Sequence, residues 1–332
     1  MEDEKKVKER LENYSYSKIE TYEQCHYKFK LKYKDKKFLS QDTPAIAMGL
    51  LIHKVNEIIT SQILGGQKID YDMLKDYFLN VNLPKKNSRD RDGDMFGTNI
   101  LSQKFGYKWV ELDKYGKSFA MKSQQFLESG IYRLENYLKE NPNLELVAAE
   151  LPFKFKHRKY EFHGFIDRVL KEKDTGKYII HDLKTSSEAY SDDKCITPLQ
   201  FVVYVKALKQ MYGEQTEVDC FYEFPIAEAI KHAGTKGFVD RGMKKINTLL
   251  DSIEAEDYVP HPTPLCYWCE FCNNNPDQPK EGRNCCPYYS LWKPEAKSFA
   301  TKLPWINMES DEMQRNKLIM LENLSDDEDD EI

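Results

Sequence analysis

Two carboxylates and one amine stand close together in the middle of the sequence. Asp167 lies in a segment rich in aromatic and β-branched residues, and Asp182 and Lys184 lie in a second such segment. A polar turn with a glycine, residues 173–177, separates them, so the pattern predicts a β-hairpin. Because side chains alternate between the faces of a strand, Asp182 and Lys184 point the same way, and Asp167 on the partner strand can meet them.

This set of side chains suits phosphodiester hydrolysis. Magnesium and manganese prefer oxygen ligands and keep water and substrate phosphate in their remaining positions, so two aspartates suffice as an anchor. The ammonium group of Lys184 can hold the attacking water or offset the charge that builds on the phosphate. The alternative is a surface hairpin with an ordinary cross-strand pair between aspartate and lysine.

Two flanking segments with helical character carry further candidate residues. Upstream, His53 lies in the apolar segment 49–57, either as a metal ligand or as a histidine satisfied within the core. Glu57, one turn further on, either orients the imidazole or faces solvent. Downstream, Gln200 and Tyr204 are one helical turn apart, so their side chains leave the same face. Tyr204 could also serve core packing alone.

The order of these motifs resembles the RecB-type branch of the PD-(D/E)XK nuclease superfamily. In that branch a Gly-x-x-Asp-Arg strand precedes an Asp-x-Lys strand, a histidine-bearing helix lies upstream, and a glutamine-tyrosine helix follows. The segment that begins at Glu150 resembles the strand leading into the glycine-aspartate motif, although a catalytic role for Glu150 is left open. The resemblance implies an α/β fold, with a restriction-endonuclease-like central mixed sheet flanked by helices.

The same resemblance implies roles for individual residues. Magnesium or manganese would be bound by His53, Asp167 and Asp182. Lys184 would position or activate the hydrolytic water, and Gln200 and Tyr204 would support this lysine and the substrate.

Eight cysteines form a second constellation. Cys195 and Cys220 are isolated and are expected to be small buried hydrophobic residues. Close cysteine spacing near residue 270 predicts a site of thiolate ligands, for which zinc and a [4Fe-4S] cluster fit almost equally well. The candidate ligands in that region are Cys266, Cys269, Cys272, Cys285 and Cys286.

The resemblance favours the cluster, because several RecB-type nucleases, including CRISPR-associated and AddB-type exonucleases, carry a [4Fe-4S] cluster with one N-terminal cysteine and three C-terminal ones. Cys25, Cys266 and Cys269 match that pattern. Cys286 is the favoured fourth ligand because a proline follows it, with Cys285 and Cys272 as alternatives. Such a cluster would join the N- and C-terminal segments and couple its binding to folding. Zinc remains the alternative.

Composition fits an intracellular, cytoplasmic globular protein of 332 residues, 40% hydrophobic and 31% charged, with no stretch apolar enough to span a membrane. We expect one nuclease domain over residues 1–320 and a disordered acidic tail over 321–332. Six acidic residues, 326–331, account for the net charge of −6. The tail serves solubility, competes with DNA, or docks on a replication or recombination protein.

A lysine-rich segment, residues 26–37, alternates lysine with aromatic or apolar residues and is predicted to be helical. Its lysines either line a groove for nucleic acid or form a solvated face over buried aromatics. Residues 84–115 are polar and are predicted to be a flexible insertion, whereas 117–140 and 240–254 have helical periodicity.

These observations together predict a magnesium- or manganese-dependent deoxyribonuclease. We expect an exonuclease that prefers single-stranded DNA or acts at duplex ends, in replication, recombination, repair or CRISPR-type processing. The alternative is a non-catalytic nucleic-acid-binding scaffold that partners a helicase or recombinase. An RNA-directed enzyme of the same fold also remains open.

Overall fold

The computed structural model describes residues 12–37, 44–80, 113–263, 266, 269–271 and 286. The predicted insertion lies almost wholly outside these ranges, as do the acidic tail, Cys272 and Cys285.

A mixed six-stranded sheet forms the centre of the fold. Its path runs β1-β3-β4-β5-β6, and β2 pairs with β3. Strand β3 is antiparallel to β2 and β4, whereas the β1–β3 and β4–β5 pairs are parallel. The strands are β1 (Glu12–Tyr14), β2 (Leu144–His157), β3 (Tyr160–Glu172), β4 (Tyr178–Leu183), β5 (Val218–Phe224) and β6 (Ala229–Ala233). The predicted hairpin is therefore confirmed as β3–β4, and its turn carries Gly176 at a φ of 74°.

Helices flank this sheet, which confirms the predicted fold class. The helices of the described residues are α1 (Tyr16–Gln24), α2 (His26–Phe29), α3 (Pro44–Leu64), α4 (Tyr71–Asn80), α5 (Asp113–Glu128), α6 (Arg133–Glu140), α7 (Asp192–Cys195), α8 (Leu199–Tyr212) and α9 (Phe238–Glu254). A π-helical turn (Lys30–Lys34) extends α2, and a 3₁₀ turn (Gly130–Tyr132) separates α5 from α6. The helical predictions for 117–140 and 240–254 are thus confirmed, with a break at Ser129, and the helix predicted for 26–37 ends at Lys34.

Helix α3 presents an apolar stripe to the core. Buried residues recur along it at the three- and four-residue spacing of one helical face: Met48, Leu51, Ile52, Val55 and Ile59. They pack with Leu74 and Phe78 of α4, Phe126 of α5 and Leu134 of α6. This packing fixes the rotation of α3 about its axis, and so sets the direction in which His53 points.

Helix α8 is buried along most of its length and packs closely against α9. Phe201 lies 4.8 Å from Tyr222 of β5, measured between ring centroids. A Cβ atom at Gly242 of α9 would lie 2.3 Å from a methyl carbon of Val202, so only a glycine allows this approach. Helix α8 is therefore held firmly where it carries Gln200 and Tyr204.

The described residues divide into two compact units. The first contains residues 12–16 and 44–245 and holds the whole sheet; the second contains 17–37 and the described residues from 246 onward. Among the described residues, no helix has the length and apolar character that crossing a bilayer requires.

Candidate active site

Three potential metal ligands converge in the first unit. His53 of α3, Glu150 of β2 and Asp167 of β3 each offer a ligand atom, and these atoms all lie within 4.8 Å of one another. Imidazole Nδ1 of His53 is 3.6 Å from Oδ2 of Asp167, which also accepts a hydrogen bond of 2.7 Å from the backbone N–H of Leu183. One nitrogen and two carboxylate ligands fit a magnesium- or manganese-sized ion.

Glu150 is the member of this group whose role the sequence left open. The antiparallel register pairs Ala149 with Arg168 and Leu151 with Ile166, so Glu150 lies opposite Asp167. Its φ of 45° is in the left-handed region, which non-glycine residues seldom adopt and which is common at functional sites. The signal in the sequence is the β2–β3 hairpin. Counting equal numbers of residues back from its tip along both strands places Glu150 and Asp167 opposite each other.

Asp182, Lys184, Gln200 and Tyr204 form a connected cluster beside these ligands. Gln200 donates from Nε2 to Oδ1 of Asp182 at 2.7 Å and to the hydroxyl of Tyr204 at 2.8 Å. Its Oε1 accepts from Nζ of Lys184 at 3.0 Å. The same ammonium is 2.5 Å from Oδ2 of Asp182, with which it forms an ion pair. The amide of Gln200 therefore holds carboxylate and ammonium in fixed positions.

Burial dominates the electrostatics of this cluster. It raises the pKa of Asp182 to about 7, with a further increase from the charge of Asp167, although Lys184 opposes both effects. Burial disfavours the ammonium of Lys184, but the contributions of Asp182, Tyr190 and Asp167 together raise the lysine pKa. The pKa of Tyr204 is raised by burial and by Asp182, so the phenol keeps its proton. Lys184 is thus a cation held next to crowded carboxylates.

A buried polar network lies behind the ligands and was not foreseen from the sequence. Nη1 of Arg168 is 2.5 Å from Oε2 of Glu223, and Nη2 is 3.3 Å from Oδ1 of Asn56. Nδ1 of His181 is 2.8 Å from the same glutamate oxygen. Since Arg168 follows Asp167, His181 precedes Asp182 and Asn56 lies one turn after His53, the network ties together the three elements that carry these candidate ligands. Its signal in the sequence is an Arg, a His and a Glu within otherwise apolar strands.

The predicted partner of His53 forms a different contact. Glu57 accepts hydrogen bonds of 2.8 Å from Lys54, its neighbour on the surface of α3. Glu57 was expected either to orient the imidazole of His53 or to face solvent, and this contact with Lys54 fits the second role.

Four cysteines line one cavity in the second unit: Cys25, Cys266, Cys269 and Cys286, together with His261 and Phe271. Backbone N–H groups of Lys28 and His261 approach Sγ of Cys25 at 3.5 Å. Burial raises the pKa of the Cys25 thiol to about 11 in spite of these two donors. Four thiols around one cavity, with N–H groups directed at sulfur, fit a thiolate-bound metal centre. Cys195 and Cys220, in the first unit, are buried as predicted.

Two lysines of the helical segment that follows Cys25 form ion pairs within the second unit. Lys28 and Lys32 lie 3.1 Å and 3.3 Å from carboxylate oxygens of Glu270, a buried residue. Phe29 and Leu31 are buried in the same unit. Two of the lysines that could have lined a groove are therefore engaged in structural pairs.

The fold and the site define a class of protein. Metal-dependent nucleases hydrolyse phosphodiester bonds. Their sites combine carboxylates from adjacent strands, a histidine from a preceding helix and an Asp-x-Lys motif at a strand end. The chain belongs to the PD-(D/E)XK nuclease superfamily, whose family model matches residues 13–273.

Comparison with curated proteins finds no match. Among solved structures, the chain is similar to a protein from Eubacterium rectale that is provisionally named an exonuclease, with 12% identity, a TM-score of 0.43, and coverage of 81% of this chain and 90% of the other. A second similar structure, SSO0001, has 20% identity, a TM-score of 0.27, and coverage of 47% and 68%.

Proposed function

We propose that this protein is a RecB-type, metal-dependent deoxyribonuclease, an exonuclease that prefers single-stranded DNA. The observation that supports it most directly is the placement of the Lys184 ammonium, fixed by Asp182 and Gln200, beside a group of metal ligands. A binding protein without catalysis gains nothing from crowding carboxylates that repel both one another and a phosphate backbone. We infer an intracellular role in replication, recombination, repair or CRISPR-type processing.

The residues divide the work in a way that their contacts support. His53, Glu150 and Asp167 would hold Mg²⁺ or Mn²⁺, with Asp182 as a further ligand. When bound, the ion supplies Lewis-acid polarisation of the phosphate. Lys184 has donors beyond those used by Asp182 and Gln200, so it can hold the attacking water or a phosphate oxygen.

Gln200 and Tyr204 act by holding Lys184 and Asp182 in place. Because the hydroxyl of Tyr204 and the amide of Gln200 occupy the same helical face, one rigid helix sets the position of both. Tyr204 is buried, so it excludes water from its side of the site, where water would weaken the attraction between lysine and carboxylate.

For the cavity lined by thiols we propose a [4Fe-4S] cluster bound by Cys25, Cys266, Cys269 and Cys286, with zinc as the alternative. Both need thiolate ligands, and the four cysteines provide them. A visible absorption spectrum of protein purified without oxygen separates the two, because an iron-sulfur cluster is brown and zinc is colourless. A colourless protein that contains one equivalent of zinc would reject the cluster.

Cleavage of end-labelled DNA tests the main proposal. Linear single strands, covalently closed circular single strands, duplex DNA and RNA would each be incubated with Mg²⁺, Mn²⁺ or EDTA. We expect stepwise loss of nucleotides from linear single strands, no cleavage of circles, and no activity in EDTA. Asp182→Asn should abolish cleavage, whereas Asp174→Asn, a control at an exposed carboxylate in the β3–β4 turn, should not affect it.

The outcomes separate the competing functions. Full activity of the Asp182→Asn variant would reject the site. Tight DNA binding without cleavage under any metal condition would favour the scaffold function. Preferential cleavage of RNA would keep the enzyme and change its substrate.

A further inference from the structure

The outer half of the β2–β3 hairpin has one buried face and one exposed face. Phe153, Phe155, Tyr160 and Phe162 fill the buried face. Paired residues of antiparallel strands share a face of the sheet. The register therefore places the residues that alternate with these aromatic residues together on the opposite face. We call this the outer face; its residues are Pro152, Lys154, Lys156, Glu161, His163 and Phe165.

The outer face and the hairpin tip are basic. Lys154 and Lys156 are exposed, and the tip adds Arg158 and Lys159, also exposed. Glu161 is the single acidic residue between 152 and 165, and it pairs with Lys154 at 3.1 Å. Lys154 nevertheless keeps 71% of its side chain exposed. On a chain with a net charge of −6, this local excess of positive charge is complementary to a polyanion.

A phenylalanine projects from the same face, two residues before Asp167 in β3. The side chain of Phe165 is 58% exposed. Exposed aromatic rings beside basic side chains are the combination on which single-stranded nucleic acid stacks its bases.

Gly164 makes room for an aromatic ring on the buried face. A Cβ atom at Gly164 would lie 2.9 Å from the ring of Phe153, so the glycine allows that ring to pack closely against β3. Phe153 in turn packs edge-on against Tyr204, with ring centroids 5.7 Å apart. The aromatic ring of Phe153 thereby fills the buried face, and alternation along β3 leaves Phe165 on the outer face.

We propose that the outer face binds the single-stranded DNA substrate, with one base stacked on Phe165 and phosphates at Lys154, Lys156 and Arg158. This inference rests on the proposed function and names how that site holds its substrate. The strand would follow the hairpin from the tip toward Asp167. The aromatic ring would then fix the nucleotide adjacent to the scissile phosphate, and the lysines would hold the remainder without regard to sequence.

Substitution at Phe165 tests stacking separately from hydrophobicity. Binding of a fluorescent oligo(dT) would be measured by anisotropy in the Asp182→Asn background, where no cleavage is expected. From the usual strength of base–aromatic stacking, Phe165→Leu should raise Kd roughly 5- to 150-fold, whereas Phe165→Trp should bind as well as the parent or better. Because the residue is exposed, both variants should keep the parent melting temperature. Equal Kd values for the leucine and tryptophan variants would overturn the stacking role.

The lysines are tested by the salt dependence of binding. Lys154→Gln/Lys156→Gln should lower the slope of log Kd against log salt by about 1.4, that is, about 0.7 for each lost phosphate contact. Lys139→Gln is a matched control: Lys139 is 66% exposed and pairs with Glu135 at 2.8 Å, as Lys154 pairs with Glu161. An unchanged slope for the double variant, or an equal change for the control, would overturn the proposal.

Wild-type cleavage distinguishes this inference from the function on which it rests. If the wild type degrades single-stranded DNA and the hairpin variants bind it unchanged, the inference is wrong and the nuclease stands. If the wild type cleaves no DNA in Mg²⁺ or Mn²⁺, the proposed function fails, whatever the hairpin binds. Stronger competition by oligo(U) than by oligo(dT) would overturn the assignment to DNA.

Discussion

Replacing Arg168 with methionine should destabilise the protein far more than the loss of one ordinary contact. The guanidinium is 1% exposed and its partner Glu223 is 2% exposed, so the substitution leaves a carboxylate in the core without its main counter-charge. Breaking a buried pair in this way typically costs about 3–5 kcal/mol. Unfolding free energies of about 5–15 kcal/mol are usual, so the loss would be a large fraction of the total.

The pKa of Glu223 gives a second route to the same magnitude. Although burial alone would raise it, the charge of Arg168 and the hydrogen bond from His181 lower it from 4.5 to about 2. At 1.36 kcal/mol per unit, the folded protein favours the ionised carboxylate by roughly 3 kcal/mol. This figure and the typical cost of breaking a buried ion pair have the same order of magnitude.

A double-mutant cycle measures that coupling. Urea unfolding, followed by fluorescence and circular dichroism, would be compared for Arg168→Met, Glu223→Leu and the double variant. The double variant should be more stable than the sum of the single losses predicts, by about 3 kcal/mol, because removing both charges leaves neither one unpaired. Lys177→Met is the control: its pair with Asp219, at 2.7 Å, is solvent-accessible and should contribute less than about 1 kcal/mol. Additivity within about 0.5 kcal/mol would refute the reasoning.

Three further changes test other parts of the site. Gln200→Ala should lower kcat roughly 10- to 150-fold with a smaller change in KM, because hydrogen bonds to charged groups contribute about 1.5–3 kcal/mol; an unchanged kcat in steady-state cleavage assays would contradict this. Gly164→Ala should cost about 1–3 kcal/mol in urea unfolding by displacing the ring of Phe153, and Phe153→Leu should recover part of the loss. In the Asp182→Asn variant, which removes the opposite effect of the raised Asp182 pKa, stability should fall on acidification: the lowered pKa of His181, caused mainly by burial, makes unfolding take up a proton below about 6.5, and Glu223 adds to the loss between pH 4.5 and 2. Equal melting temperatures of that variant at pH 7 and pH 3.5 would show that His181 and Glu223 do not cause this loss of stability.

The parts of the site that the sequence predicted are those set by local periodicity. The alternation of β3 and β4 and the turn with Gly176 were sufficient to predict the hairpin. The four-residue spacing of Gln200 and Tyr204 was sufficient to place both on one face of α8. These relations depend on neighbours along the chain, so composition and spacing carry them.

The parts that the sequence did not predict depend on long-range pairing. Glu150 reaches Asp167 only through the register of two long strands. The buried pair of Arg168 and Glu223 spans 55 residues, and the contact of Lys32 with Glu270 spans 238. Charged residues are normally interpreted as exposed, and only the position of a distant partner shows that they are buried in pairs.

The division of the second unit between two distant stretches of chain has a consequence for synthesis. Cys25 is made early, whereas Cys286 is added about 260 residues later. At typical translation rates of about 5–20 residues per second, the first thiol waits roughly 13–50 s for the last one. The thiol cavity can therefore be completed only after the strands of the sheet have been made, and any metal centre that used all four thiols could be assembled only late in the production of this protein.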